Sequence, residues 1–172
     1  AVYMVSRLGV NNFTDYLIRL GFLSLESQRG SLGTGIALGN AEVSLFELVQ
    51  AFSVFPRGGK YLDLSYRKKE KSERIIGTTV MEPYTAAIIC SILSDRSSRW
   101  LGFGRGSAFR TDFPVMFKTG TANQFQDIWA LGATPDYAAG VWMGNFSGET
   151  VIGRTGSSIP ASIVREVLSL VR

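Results

Sequence analysis

The stretch FPVMFKTGTANQFQDIWALGATPDYAAGVWMG, residues 113–144, holds three short apolar or alternating runs, at 114–119, 127–133 and 138–143. Strands bounded by polar and glycine-containing breaks have this pattern. The separators GTANQFQ and TPDY suit antiparallel neighbours, because a parallel pair needs a crossover of a dozen or more residues. Residues 160–171, PASIVREVLSLV, return to helical spacing. Helices first, then three adjacent strands, then a last helix predict an α+β fold, an antiparallel sheet of three or more strands with packed helices.

The residues before residue 113 read as those helices. AVYMVSRLG, at 1–9, has Val2, Val5 and Leu8 on one helical face and Gly9 as a stop. NNFTDYLIRLG repeats the pattern, with Asn11 or Asn12 as N-cap, Phe13, Leu17 and Leu20 on one side, and Gly21 at the end. Residues 29–40, RGSLGTGIALGN, are glycine-rich and read as an extended loop. Ser44 and Glu47 stand in capping-box spacing at the head of SLFELVQAFSVF, which Pro56-Arg57-Gly58-Gly59 breaks. Residues 60–81, with RKKEKSER inside them, read as a solvated hairpin or surface loop. Pro83 suits the first position of a helix running to about Ser94.

Composition bounds the possible functions. With 172 residues, 45% hydrophobic and 19% charged, the chain has the make-up of one globular domain. Its 18 basic and 14 acidic residues leave a net charge of only +4 with no dominant block, which argues against a nucleic-acid surface. The single cysteine, Cys90, excludes an internal disulfide and reads as a small buried hydrophobe within AAIICSIL. No histidine and one cysteine argue against a zinc site. No stretch reaches the roughly 18 apolar residues of a membrane span, and no basic start of a signal peptide is present.

Lys118-Thr119-Gly120-Thr121 ends the first strand run with a fixed cation, two hydroxyls and one position without a side chain. Such an edge can hold an anionic, extended ligand. A strand running into a turn accounts for the same four residues, and on spacing alone that reading leads. Asp127 and Trp129 read as strand residues that order the sheet. Trp142 reads as core or sheet surface, with substrate contact open to an aromatic near a cleft, and Asn123 and Gln124 as loop residues or the mouth of a cleft. The stretch WLGFGRG, 100–106, lacks the strand and helix of a phosphate loop and stays unassigned.

Lys-Thr-Gly is also the third element of serine β-lactamases and penicillin-binding proteins. Residues 113–146, with that element followed by an Asp-x-Trp strand and a Gly-Val-Trp strand, resemble the penicillin-binding transpeptidase domain. Residues 33–59, GTGIALGNAEVSLFELVQAFSVFPRGG, resemble its glycine-rich loop and following helix, in particular that of class A enzymes of the penicillin-binding protein 1C kind. The resemblance runs nearly end to end.

It implies the C-terminal portion of a single transpeptidase domain over residues 1–172. The family's acylated serine and its Ser-x-Asn element precede the lysine-threonine-glycine strand. No Ser-x-Asn occurs in this chain, and its one Ser-x-x-Lys, Ser65 to Lys68, sits among charges where a lysine cannot readily lose its proton. The resemblance implies a peptidoglycan D,D-transpeptidase at the extracytoplasmic face of a bacterial membrane, anchored by sequence not in this chain. It implies no cofactor and no metal. The partners it implies are a D-Ala-D-Ala stem peptide, β-lactams and the missing upstream part of the same domain. The opening helix adds an expected self-association. Lys118 and Thr121 are the implied catalytic residues, Lys118 facing a serine and Thr121 giving an oxyanion N–H. Thr119 and Thr121 hydroxyls would hold the ligand carboxylate while Gly120 lets it lie close. A non-catalytic binding or scaffolding module is the alternative.

Overall fold

The computed structural model describes residues 1–64, 77–103, 109–122, 125–151 and 159–171. Two short helices, α1 (Val2–Leu8) and α2 (Val10–Arg19), meet at Gly9, whose φ of 87° lies in the region that favours glycine. Gly9, not Asn11 or Asn12, is therefore the N-cap of α2. Asn12 is turned the other way, its side-chain amide donating to the Leu8 carbonyl at 2.9 Å to close the end of α1. Of the face expected to be buried on α1, only Val5 is; Val2 and Leu8 stay exposed beside Tyr3 and Met4.

Residues 29–40 are not wholly extended. A 3₁₀ helix at Leu23–Gln28 precedes them, and a second, Thr34–Leu38, lies within them and stops at Gly39 with φ 89°. Glycine content concealed a turn of helix that Ile36, buried against Val5 and Leu25, anchors.

α3 (Leu45–Ser53) starts at the capping box expected for it. The Glu47 N–H donates to Ser44 Oγ at 3.2 Å, and Glu47 Oε2 accepts from the Ser44 N–H at 2.9 Å. The same carboxylate takes the Ser24 N–H at 2.7 Å and the Ser24 hydroxyl at 2.9 Å, stapling the first 3₁₀ helix onto α3. Burial pushes the Glu47 carboxyl up, but these bonds together outweigh it and hold it below its ordinary value. Glu47→Ala leaves two N–H groups without their acceptor, at about 1 kcal/mol each, so the melting temperature should fall by about 4–8 °C. A carboxyl lowered by folding stabilises above its unfolded pKa, and that contribution is lost as pH falls through the folded value. The gap between wild type and Glu47→Ala should accordingly be full at pH 7 and close on acidification, as thermal melts across pH will read.

β1 (Lys60–Tyr61) and β2 (Thr78–Thr79) pair antiparallel, the base of the expected hairpin, whose RKKEKSER segment lies outside the described residues. α4 (Pro83–Ser94) has Pro83 at its start as expected. It is followed by α5 (Arg96–Phe103), a helix not expected from its polar, weakly periodic sequence. Its signal was Asp95, whose carboxylate accepts the N–H groups of Ser97 and Ser98 at 2.9 and 3.3 Å.

The main sheet has the order β3 (Met116–Thr121), β4 (Asp127–Ala133), β5 (Ala138–Gly144), all antiparallel. β3 begins and ends two residues later than the apolar run suggested. α6 (Ile159–Val171) covers one face, where Val164 and Leu168 pack on Phe117 and Ala130. On the other face Phe52 of α3 and Cys90 of α4 pack on Met116 and Leu131. Cys90 packs as a hydrophobe but is only half-buried, short of the full burial expected, and its thiol donates to the Met116 sulfur at 3.2 Å. Burial on both faces explains why β4 reads as an unbroken apolar run. Two glycines allow that close cover. A Cβ on Gly132 would stand 2.6 Å from Val164 of α6, and one on Gly140 would stand 2.4 Å from Val49 of α3.

Candidate active site

Among the described residues strand order makes β3 an edge strand, and pairing decides what that edge presents. The Ala122 N–H donates to the Asp127 carbonyl at 2.8 Å, in the register that pairs Lys118 with Leu131 and Gly120 with Trp129. In an antiparallel ladder alternate residues bond inward, so Lys118 and Gly120 bond to β4. The N–H and C=O of Thr119 and Thr121 therefore point out along the free edge.

Side chains alternate as well. Met116 packs against α3 and α4 while Phe117 packs against α6, so Lys118 and Gly120 share the α3 side and Thr119 and Thr121 the α6 side. On β4 the α3 side carries Trp129 and Asp127. All four residues of the Lys-Thr-Gly-Thr element border a cleft of about 600 Å³. Its opposite wall is mainly apolar, formed by Phe13 and Leu17 of α2 and by residues 36–39 and 41–43, among which Glu42 is the charged one. The two segments singled out in the sequence thus face one another across one cleft.

The edge is chemically available. The Lys118 ammonium is exposed and donates to the neighbouring Thr119 carbonyl, and no carboxylate pairs with it among the described residues. Neither threonine hydroxyl has a partner among them. Gly120 does not adopt positive φ, and a Cβ there would lie 3.5 Å from the Trp129 Cβ, an ordinary contact. What glycine supplies is open space above the strand, since any side chain would project into the cleft.

Asp127 and Trp129 occupy the strand as expected, and Asp127 orders it through its carboxylate, which accepts the Trp142 indole N–H at 2.8 Å. Trp142 is half-buried on the sheet surface. Asn123, Gln124, Ser65 and Lys68 lie outside the described residues, as does the end of WLGFGRG, whose residues 100–103 belong to α5. The sequence reading missed Glu42, which joins Lys118 and Asp127 as a charged residue on the cleft. It also missed the role of α2. Inward spacing had signalled Phe13 and Leu17, but nothing local tells which surface they meet. Among the described residues no group of three or more His, Cys, Asp or Glu side chains could hold a metal, and no helix is long and apolar enough to cross a membrane.

The family model described as "Penicillin binding protein transpeptidase domain" matches residues 5–169. Penicillin-binding protein 1A of Clostridium novyi (strain NT) is 23% identical over 98% of this chain and 20% of its own length. Penicillin-binding protein 1C of Escherichia coli (strain K12) is 25% identical over 97% of this chain and 21% of its own length. Both 1A and 1C relatives match, so the 1C kind is not singled out. The chain spans about a fifth of the length of these curated relatives. In fold it is similar to the transpeptidase domain of Burkholderia pseudomallei penicillin-binding protein 3, with a TM-score of 0.56, 18% identity, and coverage of 74% of this chain and 41% of that one.

Proposed function

This chain belongs to the penicillin-binding protein transpeptidase family, and from that premise we propose that it forms one wall of a peptidoglycan D,D-transpeptidase site. That site cross-links stem peptides through a serine acyl-enzyme and binds β-lactams. The observation that carries the reading is the β3 edge, where a cation without a carboxylate partner among the described residues, two hydroxyls with no partner among them and outward main-chain N–H groups border one cleft.

Acyl transfer to a serine and then to an amine passes through tetrahedral intermediates, which need donors aimed at the oxyanion and a grip that aligns the peptide. The Thr121 N–H serves as an oxyanion donor. Thr119 and Thr121 hydroxyls hold the terminal carboxylate of D-Ala-D-Ala, or that of a β-lactam. Lys118 faces the serine of a Ser-x-Asn element and adds positive potential, and Gly120 lets the acyl group lie against the strand. The nucleophile comes from upstream sequence outside these 172 residues, because the only Ser-x-x-Lys here is Ser65 to Lys68 in a crowd of charges. The working location is the extracytoplasmic face of the membrane, with the anchor also outside this chain.

Labelled penicillin tests this. The 172-residue chain alone should form no covalent adduct by mass spectrometry, whereas a longer protein carrying it should form one, at an upstream serine. An adduct on Ser65 or any other serine of this chain overturns the assignment of the nucleophile. The second reading is a non-catalytic binding or scaffolding module. A longer protein that stays unlabelled would establish that reading instead.

A further inference from the structure

Beyond the Lys-Thr-Gly-Thr edge, the cleft runs onto a feature that the acyl-transfer chemistry does not use. Trp129 lines the cleft, its ring centroid lies 6.2 Å from that of Trp142 at 52°, and Trp142 lies 5.3 Å from Phe146 at 47°. Phe146 is fully exposed, at 100%. Three tilted rings thus lead from the cleft to open solvent. Asp127 stands at their foot, on the same side of the sheet and also lining the cleft. One oxygen of its carboxylate takes the Trp142 indole N–H, and the other has no partner among the described residues.

We infer that Asp127, Trp142 and Phe146 form a subsite for a primary ammonium group on the ligand that occupies the cleft; this rests on the function proposed above. Two properties select a cation over a merely apolar occupant. An indole whose N–H is bonded to a carboxylate is polarised toward a more electron-rich ring, and ring faces attract cations through their quadrupole. An uncharged apolar group would also cover the second oxygen of Asp127 without satisfying it, which is costly.

Spacing supports the same choice. Lys118 is paired with Leu131, and Asp127 lies four residues from Leu131 along β4, roughly 13 Å at 3.3 Å per residue. Along its sheet wall the cleft therefore has a cation near one end and the Asp127 carboxylate near the other, while Glu42 is the charged residue of the facing wall. A ligand with its carboxylate at Lys118 and Thr119 meets Asp127 with a group about 13 Å away. An extended peptide covers that length with two residues at about 3.4 Å each plus one long side chain. An ammonium could come from the stem peptide that donates its acyl group or from the amine that accepts it, and both have the chemistry the subsite recognises.

Binding of an Nα-acyl-L-Lys-D-Ala-D-Ala peptide distinguishes these, measured on the chain by the indole N–H resonances in ¹H–¹⁵N spectra. The peptide with a free ε-amine should bind about tenfold more tightly than its Nε-acetylated form and should shift the Trp142 resonance. Asp127→Asn and Phe146→Ala should each bring that ratio close to one, and Phe146→Ala cannot harm the fold because its side chain is wholly exposed. Butylammonium tests the other source. A Trp142 shift from butylammonium that persists with the acetylated peptide bound assigns the subsite to the accepting amine, and a shift only with the free-amine peptide assigns it to the donor. Equal binding of the two peptides, with no Trp142 response to either amine, overturns the subsite while leaving the edge reading intact. Failure of both peptides to bind, with no Trp142 response, overturns both.

Discussion

Gly59→Ala should lower the melting temperature by roughly 8–16 °C, about 4 kcal/mol, while the adjacent Gly58→Ala lowers it by only a few degrees. Both glycines have positive φ, 84° and 64°, so both substitutions incur the backbone strain of about 1–3 kcal/mol that a side chain suffers there. They differ in what the new methyl meets. Nothing lies within 4 Å of a Cβ on Gly58, whereas one on Gly59 would stand 2.1 Å from the Met81 carbonyl oxygen. That atom is main chain and cannot swing aside, so the β1–β2 pairing must shift, an overpacking cost of about 1–3 kcal/mol more. The Gly59 carbonyl also accepts the N–H groups of Val80 and Met81, at 2.9 and 3.2 Å, so the end of α3 and the entry to α4 move together. Thermal melts of the two variants decide the matter, and equal losses would mean that strain alone is at work.

That contrast shows what was legible in the sequence and what was not. Pro56-Arg57-Gly58-Gly59 announced the end of a helix, because proline and glycine act locally. That one of the two glycines lies under another segment's carbonyl is a tertiary fact, and no local pattern carries it. The same division runs through the fold. Ser44 with Glu47 marked the head of α3, and Pro83 that of α4, because each signal lies within the first turn of the helix it opens. The three strands were visible because their periods and short separators are local. By contrast, residues 29–40 looked extended, and Ile36 winds part of them into a 3₁₀ turn only by finding Val5 and Leu25 far away in sequence. Asn12 caps the helix before it, not its own, because Gly9 already occupies the hinge between them.

The site divides likewise. Lys118 to Thr121 could be named from the sequence, but the opposite wall could be named only by resemblance. Which groups the strand presents at its edge depends on the Ala122 to Asp127 bond, and a shift of register by one residue would have reversed it. In this register the threonines offer main-chain groups directly outward, with their side chains on the α6 side.

The last expectation follows from that register and separates main chain from hydroxyl. In a longer, nucleophile-containing protein, Thr121→Pro should cut the penicillin acylation rate by about 10²–10³, the usual loss when one oxyanion donor is removed. Proline normally breaks a strand by deleting a ladder bond, but on an edge strand with its N–H facing outward it deletes none. The residue before it, Gly120, is already extended, as a residue preceding proline must be. The fold should therefore survive. Thr119→Val keeps the branched shape and removes a hydroxyl whose charge-assisted bond is worth about 1.5–3 kcal/mol, a loss of about 10- to 150-fold. Lys118→Ala should cost more than Thr119→Val, because a fixed charge leaves the site and not merely one bond. Gly120→Pro is the control for the opposite phase of the ladder. Its N–H bonds inward to β4, so that variant should lose stability as well as activity. Acylation rates measured beside melting curves distinguish the cases. Normal acylation in Thr121→Pro, or a collapse in melting temperature equal to that of Gly120→Pro, would show that the Thr121 N–H is not the donor.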